Sequence, residues 1–397
     1  MDSDQKIISV SNISIKSDQD CCGCSACMVK CPYDAIEMQP DIMGFVYPQI
    51  DENKCVNCGL CLKVCQFKIS YDRHGKIGIP KIFALRNKDE SELNKSQSGA
   101  AFFTIAKRLL QEHGFVVYGV GLDENFLAVY KSAKTVDELE NLRGSKYIQS
   151  RFSLECFKKI EKELSEGKKV LFSGTPCQVA GLLAVIPFSL RETLYTIDII
   201  CHGVPAPNAW SQYLKWIERK YKKKVIAVDF RDKTYGWHSC RESFYFTDNQ
   251  KVSRDSFRHF LMSDSHFCTR PACAKCPFTN IKRIGDLTIG DYWGWEKKHT
   301  EFNDDKGVNL VMVNSVKGDE TLQLIKDDVL MIESNVEDCL QPQLQRPITI
   351  NMEEQEQFKR ILSFGRFDSI MRRFSDEGLK YKIIRFIVRI KSVISYR

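Results

Sequence analysis

Eight cysteines fall into two runs, Cys21-x2-Cys24-x2-Cys27-x3-Cys31-Pro32 and Cys55-x2-Cys58-x2-Cys61-x3-Cys65. This 2-2-3 spacing is what a pair of 4Fe–4S cubanes asks of a chain. Two-residue gaps let one tight loop bring three thiolates to a single cube, and the following turn carries the fourth to the neighbouring cube. The expected ligand sets are therefore crossed: Cys21, Cys24 and Cys27 with Cys65, and Cys55, Cys58 and Cys61 with Cys31. Zinc ribbons also use C-x2-C pairs, but zinc does not require four cysteines per half, twice over. Gln66 stands where a proline commonly follows the fourth cysteine, which removes a turn constraint and no ligand. Cys22 is surplus to both sets and reads as a bystander.

A further pair, Cys273-x2-Cys276, lies between Pro271 and Pro277 and offers two ligands of a third site. Cys177, in Gly174-Thr175-Pro176-Cys177-Gln178, and Cys201, in Ile200-Cys201-His202-Gly203, complete it. Both follow expected strands, and open α/β sheets gather ligands at strand carboxyl ends. Four such thiolates suit a third 4Fe–4S cluster. Two other readings stay open on spacing alone. One is a zinc knuckle of His266, Cys268, Cys273 and Cys276; the other is a low-pKa nucleophile at Cys177, at the start of a helix.

The elements that must hold these groups follow from hydrophobic periodicity. Residues 1–20 are polar, with one short strand expected at 6–10, and residues 71–80, with Gly75, Gly78 and Pro80, read as a linker. Strand-like apolar runs at 81–86, 115–121, 169–172 and 195–200 alternate with helical patterns at 100–113, 136–142, 153–166 and 177–185. Gly114 is placed to end the first of these helices. Such alternation argues for an α/β core with parallel pairing. Beyond Cys201 a helix at 208–222 and strands at 225–231, 243–247, 286–289 and 310–313 read as a mixed continuation, not a second doubly wound sheet.

At 397 residues, 43% hydrophobic and 27% charged, the chain can bury a core of two or three domains. Seventeen cysteines would fit a secreted disulfide scaffold, but the polar, acidic N-terminus has no apolar signal stretch. A cytoplasmic setting with reduced, metal-binding cysteines is expected. No run of eighteen uncharged apolar residues is present to span a membrane. Most of the formal +7 charge sits in residues 366–397, whose nine Lys/Arg and three Asp/Glu leave +6. The near-neutral remainder argues against a broad nucleic-acid surface. In the tail, Leu379, Ile383, Phe386, Ile387, Ile390 and Ile394 share one helical face among lysines and arginines. Such a helix either packs on the core or, through residues 376–397, makes peripheral contact with the anionic inner membrane face.

The stretches 96–101, 144–150, 172–181, 198–205, 230–237, 273–278 and 286–294 carry a resemblance. Together with the cysteine runs they make the chain similar to the coenzyme F-420 hydrogenase/dehydrogenase beta-subunit family, in its bacterial form with an N-terminal ferredoxin module. That resemblance implies FAD beside a 4Fe–4S cluster held by Cys177, Cys201, Cys273 and Cys276. Ser98 and Gly99, opening a helix, fit a flavin pyrophosphate, although Ala100 departs from the two glycines usual in the family. Ser145, Lys146 and Tyr147 match its flavin pocket, with Lys146 stabilising the anionic reduced ring; Gly174 and Thr175 join the expected cofactor-binding set. His202 and Lys146 are the expected catalytic residues, and Arg231 and His238 further candidates for substrate contact.

The expected fold class is α+β: a two-cluster ferredoxin-like module (1–70) followed by a mixed α/β flavin-binding domain. That domain has two parts, 81–155 and 156–335, and a helical basic tail follows at 336–397. The expected activity is that of an iron–sulfur flavoprotein oxidoreductase exchanging hydride with an organic substrate, the deazaflavin coenzyme F-420 among the candidates. Ferredoxin or a redox partner subunit is the expected electron partner. A non-catalytic electron-transfer subunit of a hydrogenase or dehydrogenase is the competing expectation.

Overall fold

The computed structural model describes residues 18–67, 75–256, 259, 261, 263–298, 300–302, 304–378 and 383. The strand expected at 6–10 and, apart from Ile383, the amphipathic tail pattern lie outside the described residues. The cysteine-rich segment contributes one hairpin, β1 (Ile36–Pro40) against β2 (Val46–Ile50). The chain then enters a large sheet with β3 (Lys76–Asn87), β4 (Val116–Leu122), β5 (Ala128–Ala133), β6 (Val170–Gly174) and β7 (Leu194–Ile199). It leaves to build a small antiparallel sheet from β8 (Val225–Asp229), β9 (Arg241–Phe246) and β10 (Lys251–Asp255). It returns with β11 (Leu287–Asp291), β12 (Asn309–Ser315) and β13 (Val329–Ser334).

The large sheet runs in the order β13-β3-β12-β11-β7-β6-β4-β5. Its centre, β4, β6, β7 and β11, is parallel, and the strands flanking it pair antiparallel. Parallel strands need cover on both faces, and their sequences supply apolar side chains to both. Val117 and Leu171 face the helix Ala101–His113 with Phe103, Ile105 and Leu109. Val116, Tyr118, Val170 and Phe172 face the helices Leu154–Ser165 and Pro176–Val185. Strands from residues 81–155 and from 156–335 thus interleave in a single sheet, and the continuation after Cys201 feeds three strands back into it.

The linker expected at 71–80 needs correction. Lys76–Pro80 belong to β3, and Lys76 forms a buried ion pair with Asp286 at 2.6 Å. Pro80 is tolerated because the β3–β12 ladder shifts register between Val313 and Ser315, where no donor is needed from it.

The cysteine-rich segment packs on the sheet through the helix Pro176–Val185, where Cys24, Ala26 and Val64 join the apolar cluster of Val179, Ala180 and Leu182. Gly181 makes this approach close. A Cβ there would meet Cys24 Cβ at 2.8 Å and Sγ at 3.1 Å, with the glycine itself buried. Gly181→Ala should therefore cost about 1–3 kcal/mol by overpacking and weaken iron retention at the Cys24 site. Thermal unfolding and iron analysis of the loaded protein check this; an unchanged melting temperature with full iron would contradict it.

Candidate metal centres

The two halves of the cysteine-rich segment are conformational copies. Gly23 (φ 70°) and Ser25 (φ 63°) recur as Asn57 (φ 55°) and Gly59 (φ 72°), each pair opening a one-turn helix, Ala26–Val29 or Leu60–Lys63. Left-handed residues between cysteines turn successive backbone N–H groups inward, the concavity that suits an anionic cluster. One recess is lined by Cys21, Cys24, Cys27 and Cys65, and a second by Cys31, Cys55 and Cys58, with Cys61 in the wall of both. Burial, reinforced by Cys21 and Cys65, pushes the Cys27 thiol up to about 12, and burial likewise raises Cys61 beside Cys58 and Cys31. The second recess is the more exposed, with Cys58, Tyr33 and Val56 at the surface.

A third recess lies where the parallel strands end. Cys177 follows β6 at the start of the helix Pro176–Val185, and Cys201 follows β7. Cys273 and Cys276 arrive on the turn Pro271–Lys275. All four thiols line this recess, and Cys177, Cys201 and Cys276 each raise the pKa of others in the group. Burial pushes Cys201 to about 12 and Cys276 to about 11. Thiols that resist ionising alone become ligands when a metal centre supplies positive charge, so the donor set fits a thiolate-bound cluster.

Buried polar contacts hold these loops in place. Asp198, at the end of β7, receives Arg283 Nη2 at 2.8 Å and the backbone N–H groups of Ile284 and Gly285. Arg283 also donates to Phe278 O and Ile199 O. One ion pair therefore braces the Cys201 loop against the chain that follows Cys276.

Three expectations change here. Cys22 is no bystander: it lines both the Cys21 recess and the third recess, and its thiol lies beside Cys177. Cys177 is no low-pKa nucleophile, because that neighbour and burial hold its thiol well above the ordinary value. The zinc knuckle is not assembled either. Cys268 packs in the core with Trp210 and Phe267, away from Cys273 and Cys276. Among the described residues no three His, Cys, Asp or Glu side chains are gathered to hold a single ion.

Residues 167–338 match the family model for the C terminus of the coenzyme F420 hydrogenase/dehydrogenase beta subunit, and residues 20–69 match a 4Fe-4S dicluster domain. A region similar to the C terminus of this beta subunit thus follows a segment similar to a 4Fe-4S dicluster domain. Among solved structures it is similar to a chain of the F420-reducing [NiFe] hydrogenase complex from Methanosarcina barkeri, determined for xenon derivatization. The two share 16% identity over 79% of this chain and 97% of the other, with a TM-score of 0.44. No curated protein matches the chain in sequence.

Cys177, Cys201, Cys273, Cys276, His202, Gly174 and Thr175 lie inside the beta-subunit region; Ser98, Gly99 and Ser145–Tyr147 lie between the dicluster domain and it. Gly99 is committed to packing, since a Cβ would sit 2.1 Å from Leu85 O. Ser98 Oγ donates to Val308 O at 2.6 Å, and the helix's first N–H, on Ala101, is bonded to Asn309 Oδ1 at 2.8 Å. That helix start does not fit a pyrophosphate. Lys146 turns its ammonium onto Leu142 O, Arg143 O and Gly144 O (3.2, 2.7 and 3.1 Å), using all three donors, and burial pushes its pKa down to about 7. Gly174 packs against the Tyr130 hydroxyl, while Thr175 Oγ1 lies 3.2 Å from Cys177 Sγ and so serves the third thiol group.

An arrangement better suited to a flavin ring surrounds Arg231. Its guanidinium pairs with Asp291 at the end of β11, donates to Trp237 O at 2.7 Å, and lies over the stacked Trp237 and Trp293. Tyr147 lies close to Arg231, and Gln97 Nε2 donates to Arg231 O. Among the described residues, Arg231 Nε and Gln97 Oε1 are buried without a hydrogen-bond partner. His202 stands exposed nearby; the surrounding protein lowers its pKa and Asp291 opposes the shift. These orphaned polar atoms beside an aromatic shelf fit a planar polar cofactor where Ser98 and Gly99 do not.

Proposed function

We propose that this chain is an iron–sulfur flavoprotein oxidoreductase of the F420 hydrogenase/dehydrogenase type. It moves single electrons between its dicluster domain and a third 4Fe–4S cluster held by Cys177, Cys201, Cys273 and Cys276. The observation that carries the reading is the convergence of those four thiols at the strand ends, sharing a wall with the Cys21 recess. FAD, when bound, supplies the two-electron hydride exchange that one-electron clusters cannot. Tyr147, Arg231 and Gln97 hold it, Trp237 and Trp293 wall the site, and the nearby His202 takes or gives a proton. Ferredoxin or a partner subunit docks over the more exposed Cys31/Cys55/Cys58/Cys61 recess. The organic substrate meets the flavin directly, because hydride transfer requires contact between reacting atoms.

A second reading, an electron-transfer subunit whose chemistry resides in a partner, is favoured by the family's description as a beta subunit. Turnover by the isolated chain with a hydride donor separates the two. For the flavin itself, Gln97→Leu keeps the volume and removes the orphaned acceptor. It should weaken FAD binding by up to about tenfold, the worth of one hydrogen bond. Titration of the flavin-free protein with FAD measures this, and an unchanged Kd would exclude Gln97 from the site.

A further inference from the structure

Arg270 is fully buried, three residues before Cys273, and its guanidinium reaches into the wall between two thiol recesses. Nε donates to Cys21 O at 2.6 Å, Nη1 to Gln149 Oε1 at 2.8 Å and Nη2 to Val46 O at 2.9 Å. Gln149 in turn donates to Cys22 O at 2.9 Å. The planar group stacks on Tyr47 at 4.3 Å and sits against Gly23, where a Cβ would meet Nη1 at 2.8 Å. All three of these acceptors are neutral. Asp41 feels the charge at longer range, but among the described residues Arg270 forms no ion pair with a carboxylate.

A guanidinium cannot discharge by losing its proton, and an isolated buried charge is strongly unfavourable. Neutral acceptors satisfy its hydrogen bonds without cancelling its charge. The groups that can cancel it are the two proposed cluster ligands it faces, Cys21 and Cys273, once they are thiolates. Cys21 belongs to one proposed cluster and Cys273 to another, and four thiolates make each site anionic.

We propose that Arg270 is the shared counter-cation of the Cys21/Cys24/Cys27/Cys65 cluster and the Cys177/Cys201/Cys273/Cys276 cluster. It holds both reduction potentials up and couples the two sites across the Cys22 wall. This inference rests on the third-cluster reading. Reduction adds an electron to an anionic site, so a fixed nearby cation favours it and loss of that cation disfavours it. The Cys31/Cys55/Cys58/Cys61 cluster, lined by none of these groups, is the internal control.

The test is an EPR-monitored redox titration of full-length, anaerobically reconstituted protein, with iron counted on the same samples. Arg270→Met should lower the reduction equilibrium constant of two clusters at least tenfold, about 59 mV at one electron each. The third should not move, and Arg270→Lys should restore most of the shift. Gln149→Glu places a carboxylate on the guanidinium and keeps the packing; it should lower the same two potentials, and decides the matter if Arg270→Met does not take up iron. With about twelve iron per chain, no shift, or an equal shift of all three clusters, overturns the counter-cation while leaving the third cluster standing. About eight iron in the unsubstituted protein removes the third cluster, and the shared role with it.

Discussion

Arg283→Met should destabilise the protein by about 3–5 kcal/mol, the usual cost of leaving one member of a buried ion pair alone. The Arg283 and Asp198 side chains are 2% and 0% exposed, so solvent cannot take over the missing charge. Asp198 would keep the Ile284 and Gly285 N–H groups but lose its cation, while Phe278 O and Ile199 O lose a donor. Adding Asp198→Asn, which leaves no uncompensated charge and still accepts from both N–H groups, should recover part of the loss. Urea unfolding of the three variants measures this. A penalty below about 1 kcal/mol for Arg283→Met, the scale of an exposed pair, would mean that the pair does not brace the third recess.

What could be read from sequence was what is local. Cysteine spacing constrains thiolate geometry within a few bonds, and the 2-2-3 runs reappear as paired left-handed turns at Gly23, Ser25, Asn57 and Gly59. The apolar runs of β6 and β7 announced buried parallel strands, and Gly114 ends its helix in the left-handed region at φ 65°. β5, with the sequence AVYKSA at a sheet edge, carries too weak a pattern to be recognised. The first residues of β3 were hidden by Gly78 and Pro80, because the partner that makes them strand, Ser315, is far away in the chain.

Ser98, Gly99 and Lys146 carried an ambiguous signal for a different reason. A small residue before a helix serves a phosphate or a close backbone neighbour equally well, and only the position of Leu85 O reveals that Gly99 serves the second. Lys146 likewise looked free until three carbonyls were seen around its ammonium. Cys22 and Arg270 have no spacing signature at all. Their roles arise from the docking of the cysteine-rich segment on the sheet, which no motif encodes.

The central claim, a third cluster beside two, has a direct count. Replacing Cys273 and Cys276 together removes half the proposed ligand set and leaves both dicluster sets whole. Single replacements are less decisive, because Cys22 stands in contact with Cys177 and could substitute as a thiolate. Iron and acid-labile sulfide should be measured on anaerobically reconstituted protein and on the Cys273→Ser/Cys276→Ser variant, with folding checked by circular dichroism. The account predicts about twelve iron and twelve sulfide per chain before the substitution and about eight of each after it, four per four-thiolate site. About eight iron with one zinc in the unsubstituted protein, unchanged in iron by the double substitution, would contradict it.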